Sequence, residues 1–167
     1  MYQSKKQKTM TYLVLGIYLV LLIWLVLFKL TVNFGELARF RSFNYIPFYY
    51  DSAVSFHAKE VIYNILIFIP LGVYIAVLKK EWPFALKIVP CLFLSIAFEI
   101  AQFVFAIGAS DITDVITNTL GGIIGIVLGF CLRKIFRQKH MAIINISGGL
   151  IEGVAVTLLA ILLIANR

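Results

Sequence analysis

Charge is scarce in this chain, in which Asp, Glu, Lys and Arg make up only 14% of 167 residues. A soluble domain needs about a quarter of its residues charged to cover its surface. Hydrophobic residues instead make up 62%, and the mean hydropathy is +0.98. The composition therefore excludes an ordinary soluble domain and indicates a protein whose surface lies largely in lipid.

Residues that usually hold metals or form disulfides are also few, with two cysteines and two histidines. Neither type shows a zinc or redox spacing. Cys91 and Cys131 both fall in apolar runs and are predicted to be buried free thiols. His57 is predicted to be a solvated loop residue rather than a ligand.

A basic patch of the kind that binds nucleic acid is lacking, although the net charge is +7. The Lys and Arg residues lie between apolar runs, which is typical of signals that orient a membrane protein. We therefore expect membrane lipids as partners and no nucleic acid.

Long apolar runs dominate what remains, and about 20 such residues cross a bilayer as a helix. We predict an all-α membrane protein, a bundle of about five transmembrane helices at about residues 10–28, 61–78, 84–107, 112–132 and 142–165. A signal peptide is the alternative for the first run, but that run is long and no small-x-small cleavage site follows it. With no internal repeat, residues 1–167 are predicted to form a single membrane domain.

The basic residues predict the orientation of these helices. The N-terminal segment and the connections near residues 80 and 135 carry ten of the 15 Lys and Arg residues. The positive-inside rule then places the N-terminus in the cytoplasm and the C-terminus outside. The long connection at residues 31–60, rich in aromatic residues, would lie at the outer membrane interface.

Polar residues inside apolar runs are costly and need an explanation. Three predicted helices carry them at helical spacing near the outer surface, in the sets Ser95, Glu99 and Gln102; Asp111, Asp114 and Asn118; and Glu60 and Asn64. One interpretation is a functional site where the three helices meet. The other is that these groups hydrogen-bond one another to fasten the bundle, which the amides would do without any chemistry.

Several further residues bear on this interpretation. Arg39 and Arg41 in the long connection would neutralise the carboxylates or hold an anionic substrate group, or else face water or lipid headgroups. Glu152 lies within the fifth apolar run and is not connected to the cluster by spacing. The glycines of the fourth run, Gly121, Gly125 and Gly129, are four apart and predict close packing against a neighbouring helix.

Several short stretches together resemble the VanZ-like family over about residues 40–130. They are Arg41 to Phe48, Glu60 through Asn64 to Gly72, Glu99-x-x-Gln102, Asp111-Ile112-Thr113-Asp114, and Asn118 to Gly121. The resemblance implies a multi-pass protein of the bacterial cell membrane. It also implies a connection with teicoplanin resistance, with which the founding member of the family is associated.

The sequence departs from the family's common pattern at two positions. An arginine commonly lies three residues before the first aspartate, where this chain has Gly108, and the acid often found between the two aspartates is Thr113 here. A role that needs that arginine would pass to Arg39 or Arg41.

Two functions follow as hypotheses. The first is an enzyme that acts on a lipid-linked or cell-envelope substrate at the outer leaflet, with candidate catalytic residues Glu99, Asp111 and Asp114. Burial favours the uncharged carboxyl, which would suit Glu99 to general acid or base work. Candidate substrate-binding residues are Arg39, Arg41, Asn44, Glu60, Asn64, Gln102 and Asn118. No cofactor is assigned, although Asp111, Asp114 and Glu60 would offer oxygen ligands to a divalent metal.

The second hypothesis is a non-catalytic membrane protein that binds a lipid, a glycopeptide or a partner protein. The same polar cluster would then serve recognition and assembly. A transporter is a weaker alternative, because five helices without a repeat offer little for alternating access.

Overall fold

The computed structural model describes residues 5–28, 40–48 and 54–165. Five long helices run through it, α1 (Lys5–Phe28), α2 (Val54–Leu78), α3 (Phe84–Phe105), α4 (Ile112–Phe136) and α5 (His140–Ala165). The predicted all-α membrane class is confirmed. The helix ends differ by up to seven residues, because polar residues such as Lys59 and Glu60 extend helices beyond their apolar runs.

Within the described residues, four stretches are long and apolar enough to cross a membrane: Lys5–Phe28, Ala58–Leu78, Phe84–Phe105 and the joined stretch Ile112–Ile164. The last has 53 residues, which is about 80 Å of helix and more than twice a bilayer core of about 30 Å. A three-residue 3₁₀ turn at Arg137–Lys139 divides it into α4 and α5. The predicted count of about five agrees with the five helices and exceeds the four stretches by one.

Two short strands, which the sequence did not predict, form a small parallel sheet from β1 (Phe40–Asn44) and β2 (Ile107–Asp111). The third helix was predicted to continue to residue 107, but it ends at Phe105. It ends because Ala106 takes a left-handed conformation with φ 55°. Each strand has only five residues, too few for a clear alternating pattern.

The chain divides into two compact units. One contains α1 and α5, which pack together. The other extends from Ala38 to Phe130 and contains α2, α3, most of α4 and both strands. The single-domain organisation stays a prediction.

Close packing of α4 on α2 holds the second unit together. A Cβ atom on Gly121 would overlap the carbonyl oxygen of Ile65, and one on Gly125 would overlap that of Ile69. The helix backbones are thus separated by little more than glycine hydrogens. The predicted packing role of these glycines is confirmed.

The two cysteines differ. Cys91 is buried as predicted, but Cys131 is exposed, so the prediction for Cys131 is wrong. In a membrane span an apolar side chain is also stable facing lipid. An apolar run therefore does not reveal which of its residues are covered by protein.

Candidate functional site

The polar residues meet where α4 begins. Asp111 is the last residue of β2 and immediately precedes Ile112, the first residue of α4. Its Oδ1 atom accepts a hydrogen bond from the backbone N–H of Thr113 at 2.7 Å. This is the bond of an N-cap residue, which satisfies one of the four N–H groups left unbonded at a helix start.

Glu99 of α3 completes this cap from outside the helix. In a capping box, the acid three residues after the cap accepts the N–H of the cap residue. Here that N–H, on Asp111, donates to Glu99 Oε2 at 2.7 Å. Ser110 Oγ also donates to the backbone carbonyl of Glu99 at 2.7 Å. Glu99 therefore fixes the junction of β2 and α4 to α3.

Asp114, the residue at the capping-box position, binds a third helix instead. Its Oδ1 atom accepts from Nδ2 of Asn64 on α2 at 2.7 Å. A hydrogen bond to a carboxylate is stronger than one between neutral groups. Because Glu99 takes the N–H of Asp111, the Asp114 carboxylate connects α4 to α2.

The sheet brings the chain before α2 to the same place. In its register, Asn44 lies opposite Asp111, and Asn44 Nδ2 donates to Asp111 Oδ2 at 3.1 Å. Asn44 Oδ1 accepts from the N–H of Ile46, and the N–H of Phe48 donates to Thr113 Oγ1 at 3.0 Å. Both side-chain oxygens of Asp111 thus have partners, one on each side of the junction.

A second layer of polar groups lies one turn deeper. Asn118, which is 1% exposed, donates from Nδ2 to Ser95 Oγ on α3 at 2.9 Å. Ser95 Oγ lies 3.5 Å from the backbone carbonyl of Asp114. These contacts tie α3 to α4 below the cap.

These hydrogen bonds join a set of residues that we call the polar cluster: Asn44, Asn64, Ser95, Glu99, Asp111, Asp114 and Asn118. Sequence spacing had grouped all of them except Asn44, which entered through the family resemblance. The structure brings them together at the meeting point of three helices and a strand. Whether they act on a substrate stays a prediction.

The other candidate residues lie around the polar cluster or outside the described residues. Gln102 is buried on the same face of α3 as Glu99. Glu60 is half-buried on α2, one turn before Asn64. Arg39 and the side chain of His57 lie outside the described residues. Glu152 is buried in α5, which belongs to the other unit.

Arg41 lies on β1 directly opposite Gly108 of β2. Gly108 is the position at which the family pattern commonly has an arginine. The register of the sheet therefore places Arg41 beside that position. Arg41 is exposed, and its Nη2 atom donates to the backbone carbonyl of Val104 at 3.3 Å. It thereby satisfies one of the carbonyl groups left unbonded in the last turn of α3.

The described residues of the polar cluster and its surroundings offer no set of ligands for a divalent metal. Within residues 5–28, 40–48 and 54–165, no three His, Cys, Asp or Glu side chains are grouped so as to hold a metal ion. The Asp111 oxygens accept from Asn44 and Thr113, and Asp114 accepts from Asn64. The proposed trio of Asp111, Asp114 and Glu60 therefore does not fit a metal centre.

Sequence reasoning missed the roles of Ser110 and Thr113. It also interpreted the pair Asp111 and Asp114 as chemistry, although an acid followed three residues later by another acid before an apolar run also marks a helix start. The Glu99 contact had no local signal, because its partner is twelve residues away and belongs to a different element.

Comparison with known proteins identifies a family that this chain matches. Residues 15–137 match the family model described as VanZ/LLP1. The chain is 47% identical over 129 residues to a curated protein of Enterococcus faecium named Protein VanZ. That match covers 76% of this chain and 78% of the relative. No protein of known structure matches the chain.

Proposed function

The chain belongs to the VanZ/LLP1 family, and from the geometry of its polar cluster we propose that it is a binding protein rather than an enzyme. It is a multi-pass membrane protein, as its long apolar helices and its relatives indicate. In this proposal it binds a lipid-linked component of the cell envelope at the outer leaflet. Binding lowers susceptibility to glycopeptide antibiotics such as teicoplanin, the phenotype that the family resemblance implies.

One observation carries the preference for binding. The carboxylates of Glu99, Asp111 and Asp114 each accept a hydrogen bond from an N–H group of their own chain. These bonds position α2, α3, β1 and α4 relative to one another. A general acid or base must instead present its carboxyl group to the proton that it transfers. The three acids therefore suit a scaffold, and the exposed Arg41 suits recognition of an anionic group.

Glu99→Gln separates binding from catalysis. Glutamine keeps an oxygen that accepts the N–H of Asp111, but it does not exchange a proton near neutral pH. We expect cells that express Glu99→Gln to keep the teicoplanin resistance given by the wild-type protein, and Asp114→Asn to behave in the same way. Arg41→Gln should bring the minimum inhibitory concentration toward that of cells without the protein.

Membrane abundance of each variant, measured by immunoblot, is the control. Loss of resistance in Glu99→Gln at normal abundance, with an envelope-lipid mass change that depends on the wild-type acid, would establish the enzyme and overturn the binding proposal. A wild-type chain that gives no resistance in any susceptible host would overturn the proposed phenotype.

The outward position of the polar cluster is part of the proposal. Of the 15 Lys and Arg residues, ten lie in the segments assigned to the cytoplasm, and the positive-inside rule then places the N-terminus inside. Lys87 is among the ten and is buried in α3. Its ammonium group donates to the carbonyl groups of Lys80 and Trp82, which lie in the basic connection before the first residue of α3. The basic connection and the polar cluster thus lie at opposite ends of α3.

Cysteine labelling of intact cells tests this orientation. Ser42→Cys on β1 and Gln138→Cys in the 3₁₀ turn are both exposed positions, and Cys131→Ser removes the exposed native thiol. We expect a membrane-impermeant maleimide to label position 42 in intact cells and position 138 only after permeabilisation. The reverse pattern would place the polar cluster in the cytoplasm.

A further inference from the structure

An apolar groove runs along the exposed face of α3, opposite the polar face that carries Glu99. It is open on one side, has a volume of about 340 Å³ and is lined by α3 residues between Phe93 and Phe105. Ala97 and Ala101 lie in its middle, with larger side chains on either side and a phenylalanine at each end. Its lining is almost entirely hydrocarbon, so the groove fits a hydrocarbon chain rather than a polar molecule.

The dimensions of the groove match one chain in one leaflet. Phe93 and Phe105 are twelve residues apart on a single helix, which is about 18 Å. Half of a bilayer core of about 30 Å is about 15 Å. Ala97 and Ala101 form a single row of small residues along α3, a width that suits one hydrocarbon chain.

A cationic group lies at the end of the groove that meets the sheet. Val104 lines the groove, and its backbone carbonyl accepts a hydrogen bond from Arg41 Nη2. The guanidinium group has five N–H donors, and the bond to Val104 needs one of them. Arg41 is exposed, and guanidinium binds phosphate well through paired hydrogen bonds.

We propose that this groove and Arg41 together bind a lipid with one hydrocarbon chain and a phosphate headgroup, the class that includes polyprenyl phosphates. The chain lies along α3 between Phe93 and Phe105, and the phosphate binds Arg41. This inference rests on the proposed function for its place in the outer leaflet, and it names the class of lipid-linked component that is bound. The acids of the polar cluster position β1, and so Arg41, without touching the lipid.

Photo-crosslinking of the purified full-length protein in nanodiscs tests the proposal. The probe is a polyprenyl phosphate that carries a diazirine on its chain. Ala101→Trp fills the groove, Arg41→Gln removes the cation, and Val127→Trp is the matched control at an exposed position of α4. We expect labelling of the first two to fall about tenfold, as loss of one charge-assisted contact or of the chain site would cause, and the control to label like wild type.

Two competitors sharpen the result. Unlabelled polyprenyl phosphate should displace the probe from the wild-type protein. The uncharged polyprenol should compete more weakly there, to the same extent as polyprenyl phosphate competes on Arg41→Gln. If thermal unfolding shows that Ala101→Trp does not fold, the competition experiments on the wild-type protein and Arg41→Gln still test the proposal. Equal competition by polyprenol, or by phosphatidylglycerol with two chains, would overturn the proposed ligand class.

A second copy of the chain is the other occupant that small residues four apart would admit. Efficient disulfide dimers of Ala101→Cys in a Cys131→Ser background would show that occupant and overturn the lipid site. The binding assay does not use resistance as its readout. Resistance without crosslinking overturns only this inference, and crosslinking to the groove without resistance overturns only the proposed phenotype.

Discussion

Helices α4 and α5 carry the same glycine pattern with different structural results. Gly121, Gly125 and Gly129 are four apart in α4, and Gly149 and Gly153 are four apart in α5. A Cβ on each of the α4 glycines would meet α2, whereas a Cβ on either α5 glycine would meet none of the described residues within 4 Å. Small-residue spacing therefore permits close packing without showing that it occurs.

The two helices differ in their polar contacts as well. The first turn of α4 is joined to α3 by Glu99, to α2 by Asn64 and to β1 by Asn44. In α5, Asn145 Nδ2 donates to the backbone carbonyl of Gln7 on α1 at 3.1 Å. The three bonds named for α4 each involve a carboxylate, and such bonds are stronger than the neutral bond from Asn145 to the Gln7 carbonyl. We expect the contacts at the first turn of α4 to be more sensitive to substitution than the Asn145 contact of α5.

Alanine substitutions of a glycine in α4 and of one in α5 should change the unfolding free energy in opposite directions. Gly125→Ala places a methyl group against the Ile69 carbonyl, and overpacking of this kind costs about 1–3 kcal/mol. Gly153→Ala meets no atom of the part of the chain that the structure describes and should stabilise the helix by about 0.5–1 kcal/mol, because alanine is the better helix former. SDS-induced unfolding from mild detergent measures both changes. A stabilising Gly125→Ala would show that α4 and α2 are not in backbone contact.

Glu99 offers the next largest expected effect. Glu99→Leu removes the acceptor for the part-buried Asp111 N–H, and leaving a donor unsatisfied costs up to about 1–3 kcal/mol when it is buried. Glu99→Gln keeps an acceptor, although a neutral one that forms a weaker hydrogen bond, and should lower the unfolding free energy less than Glu99→Leu does. The same unfolding assay compares the two variants. Equal destabilisation by both would mean that the negative charge, and not the acceptor, holds the junction.

The sequence predicted the features of this fold that depend on one helix at a time. Apolar run lengths located the helices, and helical spacing placed Ser95, Glu99 and Gln102 on one face of α3, all buried in the structure. The glycine row of α4 was predicted on the same grounds. The candidate site could be assembled to this extent because polar residues in a membrane span must meet other polar groups.

The remaining features depend on contacts between distant segments. Strands β1 and β2 pair residues that are 67 positions apart, such as Asn44 and Asp111. Neither strand sequence, FRSFN or IGASD, alternates between apolar and polar residue types. An aspartate before a helix fits both an N-cap and a catalytic acid. The structure shows that Asp111 is an N-cap, and its catalytic role stays a prediction. Only the Glu99 contact, which leaves Asp114 to bind Asn64, shows how the acids divide their structural roles.

Asn145→Ala in α5 should have the smallest effect, although it also removes a hydrogen bond between helices. The Gln7 carbonyl that accepts from Asn145 also accepts from Thr11 Oγ1 at 2.9 Å, so the substitution leaves that carbonyl with a partner. Among the described residues, the buried Oδ1 atom of Asn145 has no hydrogen-bond partner, and alanine removes this cost as well. Side-chain hydrogen bonds between membrane helices average about 0.6 kcal/mol, and we expect a loss no larger than that in the SDS unfolding assay. If Asn145→Ala lowered the unfolding free energy as much as Glu99→Leu, the hydrogen bond between α5 and α1 would be as important as those between α4 and its neighbours. The two helices would then differ only in the packing of their glycines.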